Sequence, residues 1–162
     1  MVTVRIATQA DIAALVELMG EFYAESAFPL EEEWAADAFA SLIAEPARGA
    51  VWLLEQAGAP VGHVVLSVRH AMEYGGLSAY IDDLFVRPAC RRLGAARAGL
   101  DALFAECRRR DCRSIQVEVA PDNRAANALY RGYGLAAGTD ERRHLRLALP
   151  RPAAQGPAPI AR

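Results

Sequence analysis

The sequence lacks several features that would each assign it to a class of protein. Its 162 residues include three cysteines, at positions 90, 107 and 112, which form neither an even set nor a Cys-x-x-Cys pair. Structural disulfides and a cysteine-rich zinc site are therefore not expected. No apolar run approaches the roughly 20 residues that cross a bilayer, and the N-terminus has no apolar stretch of the signal-peptide type. We accordingly expect a cytoplasmic protein with no membrane partner.

Lysine is absent, and all 18 basic residues are arginines. Residues 1–83 hold thirteen acidic residues against three arginines, whereas residues 84–162 hold seven against fifteen, so net charges of −10 and +8 give the total of −2. This separation favours an anionic ligand for the second half and a cationic one for the first. Exposed helices that merely differ in sign would give the same counts. The pI of about 5.9 argues against a nucleic-acid-binding module, which usually has a pI above 9.

What the chain does contain is the composition of one ordinary globular domain, with 53% hydrophobic and 23% charged residues. Its hydrophobic periodicity predicts a strand at 2–7, helices after Asp11 and after Pro29, a hairpin of strands 51–56 and 61–68, a strand at 79–86, a long helix ending near Cys107, a strand at 115–119, a helix at 123–131 and a strand at 145–149. Strand, helix and strand in this order predict a right-handed crossover with parallel strands.

Two expectations concern single segments. In the second helix, Trp34, Ala38 and Leu42 are expected to face the core. The tail at 150–162 is rich in proline, alanine and glycine, and we expect it to be disordered.

The segment between the strand at 79–86 and the long helix has the composition of a phosphate-binding turn. It contains Arg91, Arg92, Leu93, Gly94, Ala95, Ala96 and Arg97. Unpaired N–H groups point outward at a helix start, small residues let a phosphate approach them, and arginines add positive charge. The segment is neither a Walker loop nor Gly-x-Gly-x-x-Gly. Taken alone it is weak evidence, because small residues at a helix start often serve packing only.

Together with its surroundings, the segment resembles the Gcn5-related N-acetyltransferase (GNAT) superfamily. The acetyl-CoA loop of that family follows Arg/Gln-x-x-Gly-x-Gly/Ala, which Arg91, Gly94 and Ala96 match. A later Asn-x-x-Ala-x-x-Leu-Tyr motif and its Gly-Leu ending appear as Asn123, Ala126, Leu129, Tyr130, Gly134 and Leu135. The resemblance covers nearly everything before Pro150.

The resemblance implies a single α/β (α+β) domain over residues 1–149, with a mixed central sheet flanked by helices on both faces. It implies a splayed pair of parallel strands that opens the slot for acetyl-CoA, and a strand at Leu84, Phe85 and Val86 whose backbone binds the pantetheine arm. It also assigns Asn123 and Ala126 to the cofactor site. Dimers are common in similar proteins, so a homodimer is among the expectations.

The turn departs from the family pattern at two positions. Position 92, often Gly in relatives, is Arg, and position 93, often basic, is Leu. Arginine enters positive φ at a higher cost than glycine, so the turn is expected to be tighter or to alter one backbone contact.

The resemblance also implies acetyl transfer to a primary amine by direct attack in a ternary complex. An ammonium with a pKa near 10.4 is neutral about once in 10³ to 10⁴ molecules at pH 7, so the reaction needs a proton acceptor. Tyr130 matches the general-acid tyrosine of the family, and a phenol is protonated at neutral pH, as donation to the thiolate of CoA requires.

Asp82 and Asp83 are the candidate proton acceptors. Strand alternation sends them to opposite faces, so without a bulge only one can face the substrate, and Asp82 is preferred. The string YIDDLFV resembles the equivalent strand of spermidine/spermine N-acetyltransferases, in which an acidic residue at the position of Asp82 is implicated in deprotonating the amine. Direct abstraction, a water relay, substrate orientation and a purely structural carboxylate all stay open for the pair.

For the acceptor pocket, the family layout points to Phe22, Tyr23 and Glu25 at the end of the first helix, and to Glu73 and Tyr74 in a loop. Carboxylates attract cations. The expected acceptor is therefore a cationic small molecule or basic peptide with a primary amine. A non-catalytic acyl-CoA sensor is the alternative. No metal is expected, because His63, His70 and His144 have no ligand spacing to other candidate ligands.

Overall fold

The computed structural model of the protein describes residues 1–138. Its elements are β1 (Val2–Ile6), α1 (Ile12–Glu25), α2 (Glu32–Ala44), β2 (Gly49–Gln56), β3 (Ala59–Ala71), β4 (Gly76–Val86), α3 (Ala95–Arg109), β5 (Ser114–Val117) and α4 (Arg124–Gly132). Single 3-10 turns precede α1, β4 and α3. The expected strand at 145–149 and the expected disordered tail lie outside the described residues.

The five described strands form one sheet in the order β1-β2-β3-β4-β5. Neighbouring strands are antiparallel except β4 and β5, which are parallel and connected through α3. The predicted parallel pairing of two strands connected through a helix is therefore confirmed. Pairing of β5 with β4 ends at Val117 and Ile81, although β4 continues to Val86. Beyond Ile81 the edge of β4 that faced β5 has no strand beside it among residues 1–138, so the parallel pair opens there.

Helices cover both faces of the sheet, as the predicted fold class requires. On one face, α3 packs Leu100 and Leu103 against Val64 and Leu66 of β3. Gly99 sits so close to the sheet that a Cβ atom there would approach Val64 Cγ2 to 2.6 Å. On the other face, α1 and α2 form a second core of buried side chains, among them Leu15, Leu18, Phe39, Leu53, Val65 and Phe85. The sheet therefore separates two cores.

The inward face of α2 differs from the prediction. Trp34 is 54% exposed and Ala38 is also exposed, whereas Ala35 and Phe39 are buried and Leu42 is partly buried. The prediction began the apolar stripe one residue early, because a tryptophan scores as strongly apolar wherever it stands. Burial follows the helical period that starts at Ala35.

Candidate active site

An irregularity in β4 lies at the centre of the site. Val65 of β3 pairs with Asp83 and Leu66 pairs with Ile81, so Asp82 is the extra residue of a β-bulge. A bulge interrupts side-chain alternation. Asp82 and Asp83 consequently line the same cleft against α1 and α2, which has a volume of about 330 Å³. The sequence predicts that both carboxylates can face one site only if the strand contains a bulge. The strand does contain one.

A larger groove brings together most of the residues expected at the acceptor and catalytic positions. Its lining includes Phe22, Tyr23, Glu73, Tyr74, Asp82, Asp83 and Tyr130. The α1 helix, the loop before β4, the bulge and α4 therefore meet at one place.

Glu25 is the expected acceptor residue that does not line this groove. Its carboxylate instead accepts hydrogen bonds from Arg91 Nη2 at 2.6 and 2.8 Å. Further along, Arg87 donates to the carboxylates of Glu21 and Glu17. All three glutamates lie on α1. Some of the acidic residues in the first half of the chain therefore pair with arginines of the second half, and these ion pairs hold α1 against the end of β4.

The groove also contains residues that the sequence reasoning did not select, among them Tyr80, Glu118 and Asn127. Strand alternation could have identified Tyr80, since it lies two residues before Asp82 on β4. Glu118 and Asn127 had no comparable signal, because their places depend on where β5 ends and on how α4 packs.

Tyr130 is 8% exposed and lies in the last turn of α4. Asn123 caps this helix, with its side-chain Oδ1 accepting from the Ala126 amide at 3.0 Å. Asn127 also donates its side-chain amide to the Ala120 and Asn123 carbonyls. The structure therefore gives Asn123 and Ala126 a clear task in fixing α4, and hence Tyr130, beside the groove.

The negative charge of Asp83 acts on three neighbouring groups. Burial, with a further contribution from Asp83, raises the pKa of Tyr130 to about 12. The pKa of Asp82 is raised mainly by burial and also by Asp83, against a hydrogen bond from Ser67 that lowers it. Burial, Asp83 and Asp82 raise the pKa of Tyr23. The phenol of Tyr130 is therefore protonated over the physiological pH range, and Asp82 holds a proton more readily than an ordinary aspartate.

The turn before α3 is exposed from Arg91 to Gly94. Gly94 has φ +88° and occupies the position before the helix, and no side chain caps the first amides there. Arg92 has φ +66°, so this arginine adopts the left-handed conformation that relatives often give to glycine. Arg97 is exposed on the first turn of α3. Ala95 is buried at the start of the helix and Ala96 is partly buried.

The side chains of the expected cofactor residues on β4 pack in or against the two cores. Phe85 packs in the core under α1 and α2, and Val86 packs in the core under α3. Leu84 is partly buried against the core under α3. The Val86 carbonyl accepts a hydrogen bond from Arg91 Nε at 2.8 Å, and the Arg91 guanidinium lies 5.8 Å from the centre of the Phe85 ring. Arg91 therefore braces the end of β4, and Leu93 is an exposed apolar side chain beside it.

Within residues 1–138, no group of three or more His, Cys, Asp or Glu side chains is arranged to hold a metal ion. The described part of the chain also contains no helix that is long and apolar enough to span a membrane.

Comparisons with known proteins give the family. The family model described as Acetyltransferase (GNAT) family matches residues 13–135. An integron cassette protein from the mobile metagenome of Cole Harbour Salt Marsh is 35% identical, with 91% of each chain covered and a TM-score of 0.81. A predicted acetyltransferase from Clostridium acetobutylicum, crystallised with acetyl-CoA, is 21% identical over 90% of this chain and 96% of its own (TM-score 0.75).

A ribosomal-protein-alanine N-acetyltransferase from Brucella melitensis biovar Abortus 2308 is 18% identical over 91% of this chain and all of its own, with a TM-score of 0.72. At these identities the last two likenesses concern the fold. No curated protein matches the chain.

Proposed function

The chain belongs to the GNAT family of acetyltransferases, and on that premise we propose that it transfers an acetyl group from acetyl-CoA to the primary amine of a cationic small molecule or basic peptide. Membership makes the protein an acyl-CoA-dependent acetyltransferase. The acceptor, the mechanism and the individual residues are the proposal. The observation that carries it is the bulge in β4, which places Asp82 and Asp83 in one groove with Tyr130.

The proposed reaction is direct attack in a ternary complex. Asp82, directly or through one water molecule, takes a proton from the substrate ammonium. The neutral amine then attacks the carbonyl carbon of the thioester, and the C–S bond breaks. Tyr130 gives its phenolic proton to the departing sulfur, the attacking nitrogen gives up its second proton and so restores the phenol, and Asp82 then releases its proton to solvent. Its raised pKa keeps that proton in place before the reaction, and the raised pKa of Asp82 makes this carboxylate a better acceptor than an isolated one.

We assign the diphosphate of acetyl-CoA to the turn of residues 91–97. No side chain caps the amides at the start of α3, and the exposed Arg92 and Arg97 bring positive charge to the same turn. Leu84, Phe85 and Val86 would bind the pantetheine arm through the backbone groups on the edge of β4 that β5 leaves open. The arm would then lead the thioester toward the bulge, in line with the expected placement of the cofactor.

The acceptor is proposed to be cationic because carboxylates surround the place where its amine would lie. Asp82 and Asp83 line the groove, and Glu73 stands at its wall. Tyr23, Tyr74 and Tyr80 add aromatic faces, which bind ammonium groups favourably. The likeness of the β4 string to spermidine/spermine N-acetyltransferases makes polyamines the first acceptors to test. The homodimer and the cytoplasmic location remain predictions.

The proposal is tested by measuring release of free CoA thiol from acetyl-CoA with a panel of acceptors. The panel should contain spermidine, lysine amides, basic peptides and neutral amines of matched size. We expect turnover with cationic amines and a lower kcat/KM for neutral ones. Tight acetyl-CoA binding without turnover of any amine would instead support the acyl-CoA sensor.

A further inference from the structure

His63 is a buried polar residue that the proposed mechanism leaves unused. It lies on β3 with 0% of its surface exposed, and neither Nδ1 nor Nε2 has a hydrogen-bond partner among the described residues. The rings of Phe39 and Phe85 contact it, each with its centroid 6.1 Å away. A buried imidazole without partners lowers stability relative to an apolar side chain of similar size. The groups that His63 faces should therefore explain why a histidine occupies this position.

What it faces is the carboxylate of Asp83. His63 Nε2 lies 3.8 Å from Asp83 Oδ2, and the Asp83 side chain is 14% exposed. His63 pairs with Phe85 and Val65 pairs with Asp83, so the imidazole and the carboxylate occupy neighbouring positions on the same face of the sheet. The separation exceeds a hydrogen bond by less than 1 Å, which a small rotation of the aspartate about its side-chain bonds would close.

His63 lines neither the groove nor the smaller cleft, whereas Asp83 lines both. Asp83 is therefore the group through which the imidazole could influence a bound acceptor. The described elements packed around this pair supply Asp82 and Asp83 from β4, Tyr23 from α1, Phe39 and Leu42 from α2, and Leu53 from β2. The titratable groups among them are the two aspartates and the tyrosine.

We propose that His63 is a positioning residue, whose Nε2–H donates a hydrogen bond to Asp83 Oδ2 and holds that carboxylate turned toward the groove. The inference rests on the proposed function, because it concerns the acceptor side of the same site. The negative charge of Asp83 contributes to the raised pKa of Asp82, of Tyr130 and of Tyr23. Fixing its orientation fixes the electrostatic environment of both proposed catalytic groups, although His63 itself touches no reacting atom.

The kinetic test compares His63→Leu, which removes the donor, with His63→Gln, whose amide can still donate. Leu18→Val is the matched control, since Leu18 is fully buried in the same core and carries no polar atom. We expect His63→Leu to lower kcat by about tenfold or more with the KM for acetyl-CoA unchanged. The Gln variant should recover most of the rate, and the control should stay near wild type.

Dependence on Asp83 is decided by the double variant. In an Asp83→Asn background, His63→Leu should cause little further loss, because the carboxylate it positions is gone. Equal losses in both backgrounds, or a wild-type rate for His63→Leu, would overturn the proposal.

A measurement that needs no turnover separates this inference from the proposed function. Imidazole nitrogen NMR on the wild-type protein should show His63 carrying its proton on Nε2, with a resonance that shifts in Asp83→Asn. A proton on Nδ1, or an identical resonance in both proteins, would refute the pairing. Absence of turnover by wild type with every amine would refute the proposed function and leave the NMR result standing.

Discussion

The acceptor groove and the turn before α3 are built in opposite ways. The groove depends on side chains, since two carboxylates and a buried phenol come from β4 and α4 and meet across it. The turn depends on backbone, since two positive φ angles shape it and no side chain caps the first amides of α3. Changes of side chain should therefore damage the groove with little effect on the turn, and changes of backbone preference should do the reverse.

Arg91 shows how the two regions are joined. It lies in the turn, yet its guanidinium is bonded to Glu25 on α1 and its Nε to the Val86 carbonyl. Arg91 was expected to bind a diphosphate. Its hydrogen bonds instead hold α1, β4 and the turn together. Arg92 and Arg97 add further exposed positive charge to the turn.

The largest expected effect follows from Tyr130→Phe. Removing the phenolic proton donor should lower kcat by about 10² to 10⁴ while the affinity for acetyl-CoA, measured by calorimetry, changes little. Tyr133→Phe is the control, because Tyr133 is a neighbouring tyrosine on the groove that instead donates to Asp101 at 2.6 Å. Turnover like that of wild type in Tyr130→Phe would remove this residue from the mechanism.

Asp82→Asn should have the next largest effect, and it should depend on pH. An Asp82 pKa raised above the ordinary value means that the wild-type rate falls as pH drops through that raised pKa, when the carboxylate gains a proton. As pH rises toward the pKa of the amine, the substrate loses its own proton, so the deficit of the variant should shrink. A deficit constant from pH 6 to 10 would show that Asp82 orients the substrate rather than accepting its proton.

Gly94→Val tests the turn. A β-branched residue at φ +88° is strained by about 1 to 2 kcal/mol, although no atom lies within 4 Å of the added Cβ. We expect CoA affinity to fall by roughly tenfold as the amides move. Gly58→Val is the matched control, since Gly58 has φ +78°, equally open surroundings and a place in the β2–β3 hairpin. Both variants should have a lower free energy of unfolding, but only Gly94→Val should bind CoA more weakly.

The smallest effect is expected from Arg92→Gly. Glycine accepts φ +66° without strain but is more flexible in the unfolded chain, so a net gain of about 0.5 to 1 kcal/mol in the free energy of unfolding is expected. Arg92→Ala removes the same charge and keeps the strain, so its melting temperature should not rise. Equal melting temperatures for the two variants would mean that the turn is not strained at this position.

Local patterns in the sequence were sufficient for the order of elements and for the turn. The helix predicted after Asp11 begins at Ile12, and just before it the Thr8 amide donates to the Asp11 carboxylate at 2.8 Å. The crossover through α3 followed from the order of strand, helix and strand. The inward face of α2 was predicted wrongly, because Trp34 was counted as part of the apolar stripe. In the structure Trp34 is exposed, and Ala35 and Phe39 are buried instead. Val119, expected in a strand, lies beyond the end of β5.

The sequence by itself determined the elements, their order and the small residues of the turn, because periodicity and backbone preference act over a few neighbouring residues. Only the tertiary structure decided that Asp82 and Asp83 share a face, that Arg91 bonds Glu25, and that His63 lies against Asp83. Strand register is set by hydrogen bonds to another strand, and ion pairs between residues 66 positions apart form only once both elements are packed. No local pattern contains those partners, and the chemistry of the groove depends on them.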